Sequence, residues 1–372
     1  MKNKILILGN HEIVIYNFRK ELIESLINND YEVYLSFPKG DRVDFFEKLG
    51  CHFIDTEIER HGTNPIKDLK LMQFYRKIMK QINPDIVLTY TIKPNIYGGF
   101  IAAMLNIPYI ANITGLGTAV EKKGLIQKIT TYLYRISFRK IQTVFLQNEE
   151  NQQFFIDQNI AINEQRLIAG SGVNLKQFMP LPYPDDAVVH FLYIARIMKE
   201  KGIDEYLDAA KNIKQKYPNT EFHVLGFCEE SYEDRLMNLD KKGIIQYHGL
   251  QSNIKPFLEK SHCTVHPSYY PEGISNVLLE SAASARPVIT TNRSGCREVV
   301  DNMVNGYIVE QQNSKDLILK IEQFMKLSYL DKENMGLKGR KKVEKEFDRN
   351  DVIKAYEEEI EKGITNRYEA IY

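Results

Sequence analysis

Two carboxylates, Glu272 and Glu280, stand in the segment Pro271–Arg286, PEGISNVLLESAASAR. Gly273 follows the first directly, and the second lies inside a helical pattern. Ser275 and Asn276 suit an N-cap, so a helix is expected from there to about Ala285, ahead of Pro287. Glu272 then belongs to the loop before the helix, and Glu280 to its second turn. Between them, free backbone N–H groups and the positive end of the helix dipole form an anion site best suited to phosphate. A ligand with both phosphate and hydroxyl groups, such as a nucleotide-sugar, would reconcile that site with two neighbouring acids. A surface helix with two solvated glutamates is the commoner account of such a pair alone, so the surrounding chain has to decide.

The cations that such a ligand needs follow a strand-like run, HFLYI, in the segment Ala195–Gly202, ARIMKEKG. Arg196 brings a planar fork of donors suited to phosphate oxygens, and Lys201 a mobile point charge. A solvated Lys/Arg loop is the plainer account of these residues. Gly226 and the run Tyr247-His248-Gly249-Leu250 also follow strand-like segments, where small residues let a base or phosphate approach the backbone. Ordinary turn chemistry explains them too, and His248 and His266 read as structural histidines beside strand ends.

The elements that must position these groups alternate between β and α along the whole chain. At 372 residues it exceeds one ordinary core, so two domains are expected. Strand-like runs such as Lys4–Leu8, Ile86–Thr89, Tyr109–Ile113, His190–Ile194 and Cys263–His266 are separated by helical ones, which indicates parallel sheets covered by helices. Pro180, Pro182 and Pro184 break the pattern inside a linker at 176–186. The first domain is therefore expected over 1–180, with a C-terminal helix at about 350–372 packing back on it, and the second over 187–349. Open α/β sheets bind ligands at the carboxyl ends of their strands, and Glu272 follows Cys263–His266 on that side.

Composition narrows the function. Lys+Arg and Asp+Glu balance at 49 each, so no global field favours nucleic acid. Cys51, Cys228, Cys263 and Cys296 have no C-x-x-C spacing, which argues against a zinc knuckle or a disulfide framework and fits reduced cytosolic thiols. The start, MKNKILILGN, reads as a first strand rather than a signal peptide, and no apolar run is long enough to span a bilayer. No D-x-D segment lies near the candidate site, and no G-x-G-x-x-G follows a strand, which speaks against a dinucleotide-dependent dehydrogenase.

Taken together, the Arg196…Lys201-Gly202 loop, His266-Pro267-Ser268-Tyr269, Glu272 to Glu280, Arg286-Pro287-Val288-Ile289 and Gly306-Tyr307-Ile308-Val309 resemble the family 4 retaining glycosyltransferases. Gly172-Val173-Asn174, followed by Phe178 and Pro180, is similar to that family's entry into its linker. Thr91-Ile92-Lys93-Pro94-Asn95 and Thr114-Gly115-Leu116-Gly117 look like bacterial members that build capsular, lipopolysaccharide or lipid-linked oligosaccharides. The resemblance implies the α/β GT-B fold, two Rossmann-like domains facing a central cleft. It implies transfer of a hexose or N-acetylhexosamine from a UDP-sugar, with retention and with neither cofactor nor metal. Arg196 and Lys201 would clamp the diphosphate and, with Glu272, form the catalytic set. Gly249, Leu250, Gly273, Ile274, Ser275 and Asn276 would line the donor pocket, and Glu280 would accept from the ribose hydroxyls.

The chain also departs from the family. Gly9 is followed by Asn10-His11-Glu12 rather than by a glycine-rich loop, and Asn112-Ile113-Thr114 stands where other members place a histidine. The acceptor side is therefore assigned to Asn17, Arg19, Lys93 and Thr114, with His11 as a further candidate. The run Lys122–Lys140, KKGLIQKITTYLYRISFRK, carries six cations and no acid. It suits an anionic lipid surface or a lipid diphosphate, giving a cytoplasmic protein peripheral on the inner face of the membrane and a lipid-linked glycan acceptor. An ordinary sheet-covering helix with a basic outer face is the alternative. A UDP-sugar 2-epimerase and a non-catalytic nucleotide-sugar-binding protein are the rival functions.

Overall fold

The computed structural model describes residues 2–58, 64–117, 120 and 124–369. The chain divides into two compact units, Met1–Ser171 with Asn350–Tyr372, and Gly172–Arg349. The first unit holds seven strands: β1 (Lys4–Leu8), β2 (Glu32–Phe37), β3 (His52–Asp55), β4 (Ile86–Tyr90), β5 (Tyr109–Ile113), β6 (Thr143–Leu146) and β7 (Gln165–Leu167). They form one parallel sheet in the order β3-β2-β1-β4-β5-β6-β7. Ile5 and Ile7 of β1 face one core, and Leu6 and Leu8 face the other. Burial on both faces is why β1 reads as an unbroken apolar run instead of alternating.

The first core is closed by the helix Glu12–Asn28 and by Val352, Tyr356, Ile360 and Ile364 of the C-terminal helix Arg349–Glu369. The helix Pro65–Ile82 covers the second core. The first helix starts at Glu12, where His11 takes the N-cap and its ring Nδ1 accepts from the Ile13 amide at 3.1 Å. β7 and the helices Val43–Leu49 and Glu149–Asp157 were not legible as elements. β7 is a polar edge strand of three residues, too short to show a period.

The second unit holds β8 (Val189–Ile194), β9 (Thr220–Leu225), β10 (Gln246–Tyr247), β11 (Cys263–His266), β12 (Val288–Thr291) and β13 (Gly306–Val309). They form a parallel sheet in the order β10-β9-β8-β11-β12-β13. Phe191 and Tyr193 pack under the helices Ile203–Lys216 and Ser314–Met325, whereas Leu192 packs with Leu225 and Leu258 on the other face. The division between units falls at Ser171/Gly172, so the proline segment 176–186 lies on the second unit.

Arg286 fastens that segment. Its side chain is fully buried, and its guanidinium donates to the carbonyls of Leu258 (2.7 Å), Pro182 (2.7 Å), Leu181 (3.2 Å) and Glu259 (3.3 Å). Burial pulls its basicity down to about 10, still charged at neutral pH. One planar fork thus ties the proline segment to the last turn of the helix Lys255–Lys260. Replacing it strands several buried carbonyls at once. Arg286→Met should lower unfolding free energy by about 3–5 kcal/mol in urea titrations, and Arg286→Lys should recover less than half, because an ammonium cannot reproduce the fork.

Candidate active site

The candidate residues of the second unit gather beyond the carboxyl ends of β8 and β11. Lys201 closes a short 3-10 turn, Lys199–Lys201, and Gly202 follows with φ 75°. A Cβ at Gly202 would stand 2.1 Å from the Pro267 carbonyl oxygen, so glycine is what lets this turn touch the loop after β11. The Tyr269 amide donates to the Glu200 carbonyl at 2.9 Å and fixes the same approach.

That approach pairs Lys201 with Glu272: the Lys201 ammonium donates to Glu272 Oε1, and both side chains are mostly buried. Ser268 Oγ donates to the same oxygen at 3.1 Å, and His266 Nε2 lies 3.7 Å away. Burial alone would raise the Glu272 carboxyl, but the Lys201 charge and His266 outweigh it and hold it far below the usual range. Glu272 is thus ionised at neutral pH. Burial lowers the basicity of His266, while Glu272 pulls the other way.

Arg196 joins this group through Tyr270. The Tyr270 ring lies 5.2 Å from the Arg196 guanidinium carbon and 4.9 Å from the Lys201 nitrogen, one aromatic ring serving two cations. Arg196 also pairs with Glu229. Gly249 accepts from the Gly226 amide at 2.8 Å along the same edge, whereas Leu250 is largely exposed.

The helix opening at the anion site spans Asn276–Ala283, with Ser275 at the N-cap position. Ser275 does not cap in the usual way, because its hydroxyl pairs with His266 Nε2 at 3.3 Å instead. The Ser275 amide donates to the Gly295 carbonyl at 2.7 Å. Gly295, with φ 92°, admits the Gly273 carbonyl to a place a Cβ would occupy. Glu280 is partly exposed in the second turn and has no hydrogen-bond or ion-pair partner among the described residues. Burial pushes its carboxyl up to about 7, against the pull of Arg349.

Sequence reasoning missed Ser268, Tyr270, Glu229 and Gly295, and left His266 as a structural residue. His266, Glu272 and Cys296 are close enough to hold a metal, with ligand atoms within 4.8 Å of one another. The Lys201 ammonium already occupies the Glu272 oxygen, and burial pushes the Cys296 thiol well up, so it stays neutral.

On the first unit, Asn17 is exposed on the helix Glu12–Asn28, and Thr114 is half-buried just after β5. Lys93 pairs with Asp68 at 2.8 Å, and Tyr97 donates to the other Asp68 oxygen. Arg19 lies in the core at 3% exposure, with its guanidinium over the rings of Tyr90 and Tyr356. Between β4 and Lys93, Thr91 has φ 73°, a strained setting for a β-branched residue.

Residues 184–342 match the model described as glycosyl transferases group 1, and residues 4–148 that described as glycosyl transferase 4-like. A relative from Campylobacter jejuni, N,N'-diacetylbacillosaminyl-diphospho-undecaprenol alpha-1,3-N-acetylgalactosaminyltransferase, is 28% identical over 82% of this chain and 85% of its own length. A glycosyltransferase structure from Rickettsia africae aligns over 98% of this chain and 99% of its own, with TM-score 0.82 and 20% identity. Anabaena Alr3699/HepE, solved in complex with UDP and glucose, aligns over 97% of this chain and 100% of its own, with TM-score 0.78 and 15% identity. The chain is a glycosyltransferase of the group 1 and 4-like families, built on the GT-B fold.

Proposed function

We propose that this chain is a retaining, metal-independent transferase that moves a hexose or N-acetylhexosamine from a UDP-sugar to a lipid-linked sugar acceptor during assembly of a bacterial surface polysaccharide. The observation that carries the reading is the Lys201–Glu272 pair beside Arg196, set at the open amino end of the helix Asn276–Ala283. The relative named for a diphospho-undecaprenol acceptor and the neighbour holding UDP and glucose support the two substrates.

Cleaving a sugar–phosphate bond puts negative charge on the leaving diphosphate and positive charge on the sugar. Arg196, Lys201 and the first helix amides are the donors set to meet the phosphate charge. As a diphosphate arrives, Lys201 turns from Glu272 toward it, and the freed Glu272 carboxylate accepts from sugar hydroxyls. Glu280, without a protein partner, accepts from the ribose hydroxyls. Neither glutamate is the nucleophile, and attack on the donor's front face is assisted by the leaving phosphate.

The helix Leu125–Ser137 supports a membrane-linked acceptor. It turns Thr130, Thr131, Tyr134 and Ser137 inward, and leaves Leu125, Ile126, Ile129 and Tyr132 at least half exposed. The apolar stripe thus faces away from the unit's core, opposite to a sheet-covering helix. Lys128 and Arg139 flank it, while Arg135 and Lys140 donate to Gln158 and Asn106. Lys122 and Lys123 lie outside the described residues. No helix among the described residues is long and apolar enough to cross a membrane, so a face laid in the headgroup region is the contact proposed.

Five outcomes test these roles. With UDP-sugars and lipid-linked acceptors in EDTA, Lys201→Ala should lower kcat about 10²–10³-fold. Glu272→Ala should lower transfer more than nucleotide affinity; full transfer in both variants removes the pair from catalysis, and UDP-sugar turnover without acceptor points to an epimerase. For Glu280, the ionised carboxyl accepts more strongly than the protonated one, so UDP affinity in calorimetry should fall as pH drops through about 7, and Glu280→Gln should flatten that profile. The same raised value costs stability as pH climbs from about 4.5 to about 7, so Glu280→Gln should raise Tm by a few degrees at pH 8 and leave it unchanged at pH 4. Finally, Ile126→Glu with Ile129→Glu should cut cosedimentation with anionic vesicles at least tenfold while sparing transfer to a water-soluble acceptor.

A further inference from the structure

We propose that His190, Glu221 and His223 bind one divalent transition-metal ion of the zinc class, in a site apart from the transfer chemistry. Three ligand atoms form a triangle: His190 Nδ1 to His223 Nε2 is 3.0 Å, His190 Nδ1 to Glu221 Oε2 is 3.2 Å, and His223 Nε2 to Glu221 Oε2 is 3.6 Å. A tetrahedral ion with bonds of about 2.0–2.1 Å separates its ligands by about 3.3 Å, in the middle of that range. Two imidazoles and one carboxylate, with a fourth position for water, are a donor set that zinc accepts.

Parallel register builds the triangle. His190 of β8 pairs with Glu221 of β9, and His223 lies two residues on, so all three side chains leave the same face of the sheet. Both histidines are at most 9% exposed, while the Glu221 side chain keeps 30% exposure and offers an entry path. The lone pairs make an ion the better occupant. Two neutral rings and a carboxylate present three electron-rich atoms to one another, and a single ring proton satisfies only one edge of the triangle.

The surroundings hold the ligands in place. His223 Nδ1 faces His248 Nε2 at 3.0 Å, an acceptor for the ring proton on the nitrogen that does not bind the ion. Gln246 donates to Glu221 Oε2 at 3.0 Å, and Lys260 Nζ stands 3.7 Å from that oxygen. His190 and Glu221 are each the second residue of their strand, near the amino edge of the sheet. Arg196 and Lys201 follow the carboxyl end of β8. The ion would clip β8 to β9 and do no transfer chemistry.

The test uses the full chain, stripped with EDTA, desalted and titrated with zinc chloride by calorimetry and thermal melting. The wild type should take up one ion at this site and melt several degrees higher. His223→Gln should abolish that uptake. Glu221→Gln, a same-sized change at a partly exposed position, should weaken it at least tenfold while the metal-free melting curve keeps its cooperativity. Cys296→Ser, in the other histidine–carboxylate cluster, should leave the affinity unchanged. A wild type that takes up no zinc would reduce the triangle to a hydrogen-bonded ladder and overturn the proposal. So would uptake that survives Glu221→Gln but is lost in Cys296→Ser.

Discussion

Every paired strand in both units runs parallel to its neighbours. Parallel strands cannot be joined by tight hairpins, so each return is a crossover on one face of the sheet. Both faces are therefore covered, strand interiors are apolar throughout, and polar chemistry is displaced to the sheet edges. In the second unit this puts the loops after β8, β9, β10 and β11 at one edge, where two cations, a carboxylate and a helix start can converge. The site is a by-product of direction as much as of residue choice.

Within that edge each of the two cations has an acidic partner. Glu272 neutralises Lys201, Glu229 neutralises Arg196, and Tyr270 supports both cations from below. A half-buried ammonium with no partner would be costly, and so would a lone carboxylate. The pairing holds the Glu272 carboxyl in its ionised form and both side chains in place.

Much of this was legible in the residues. The apolar runs of β1, β4, β5 and β11 announce strands buried on both faces, and the segment from Pro271 to Arg286 announces a loop, a helix start and two acids of unequal setting. Other parts depend on register, which a sequence does not display. His190 and Glu221 are 31 positions apart and meet only because β8 and β9 pair at that step. Tyr270 has no spacing signal, since its role comes from the loop that Gly202 lets in. Arg19 reads as an acceptor-side cation of the first helix, yet its side chain turns inward, with its guanidinium over the rings of Tyr90 and Tyr356.

The division of the chain also bears on how it is made. The first unit is discontinuous in sequence: its core needs Val352, Tyr356, Ile360 and Ile364, which follow the entire second unit. At about 5–20 residues per second, the ribosome takes on the order of ten seconds or more to travel from Ser171 to those residues. During that interval the seven-stranded sheet lacks the cover of the C-terminal helix, while the second unit is completed in one uninterrupted pass. The half that begins first is the one that finishes last, and its unfinished apolar face is the surface a nascent-chain chaperone would meet.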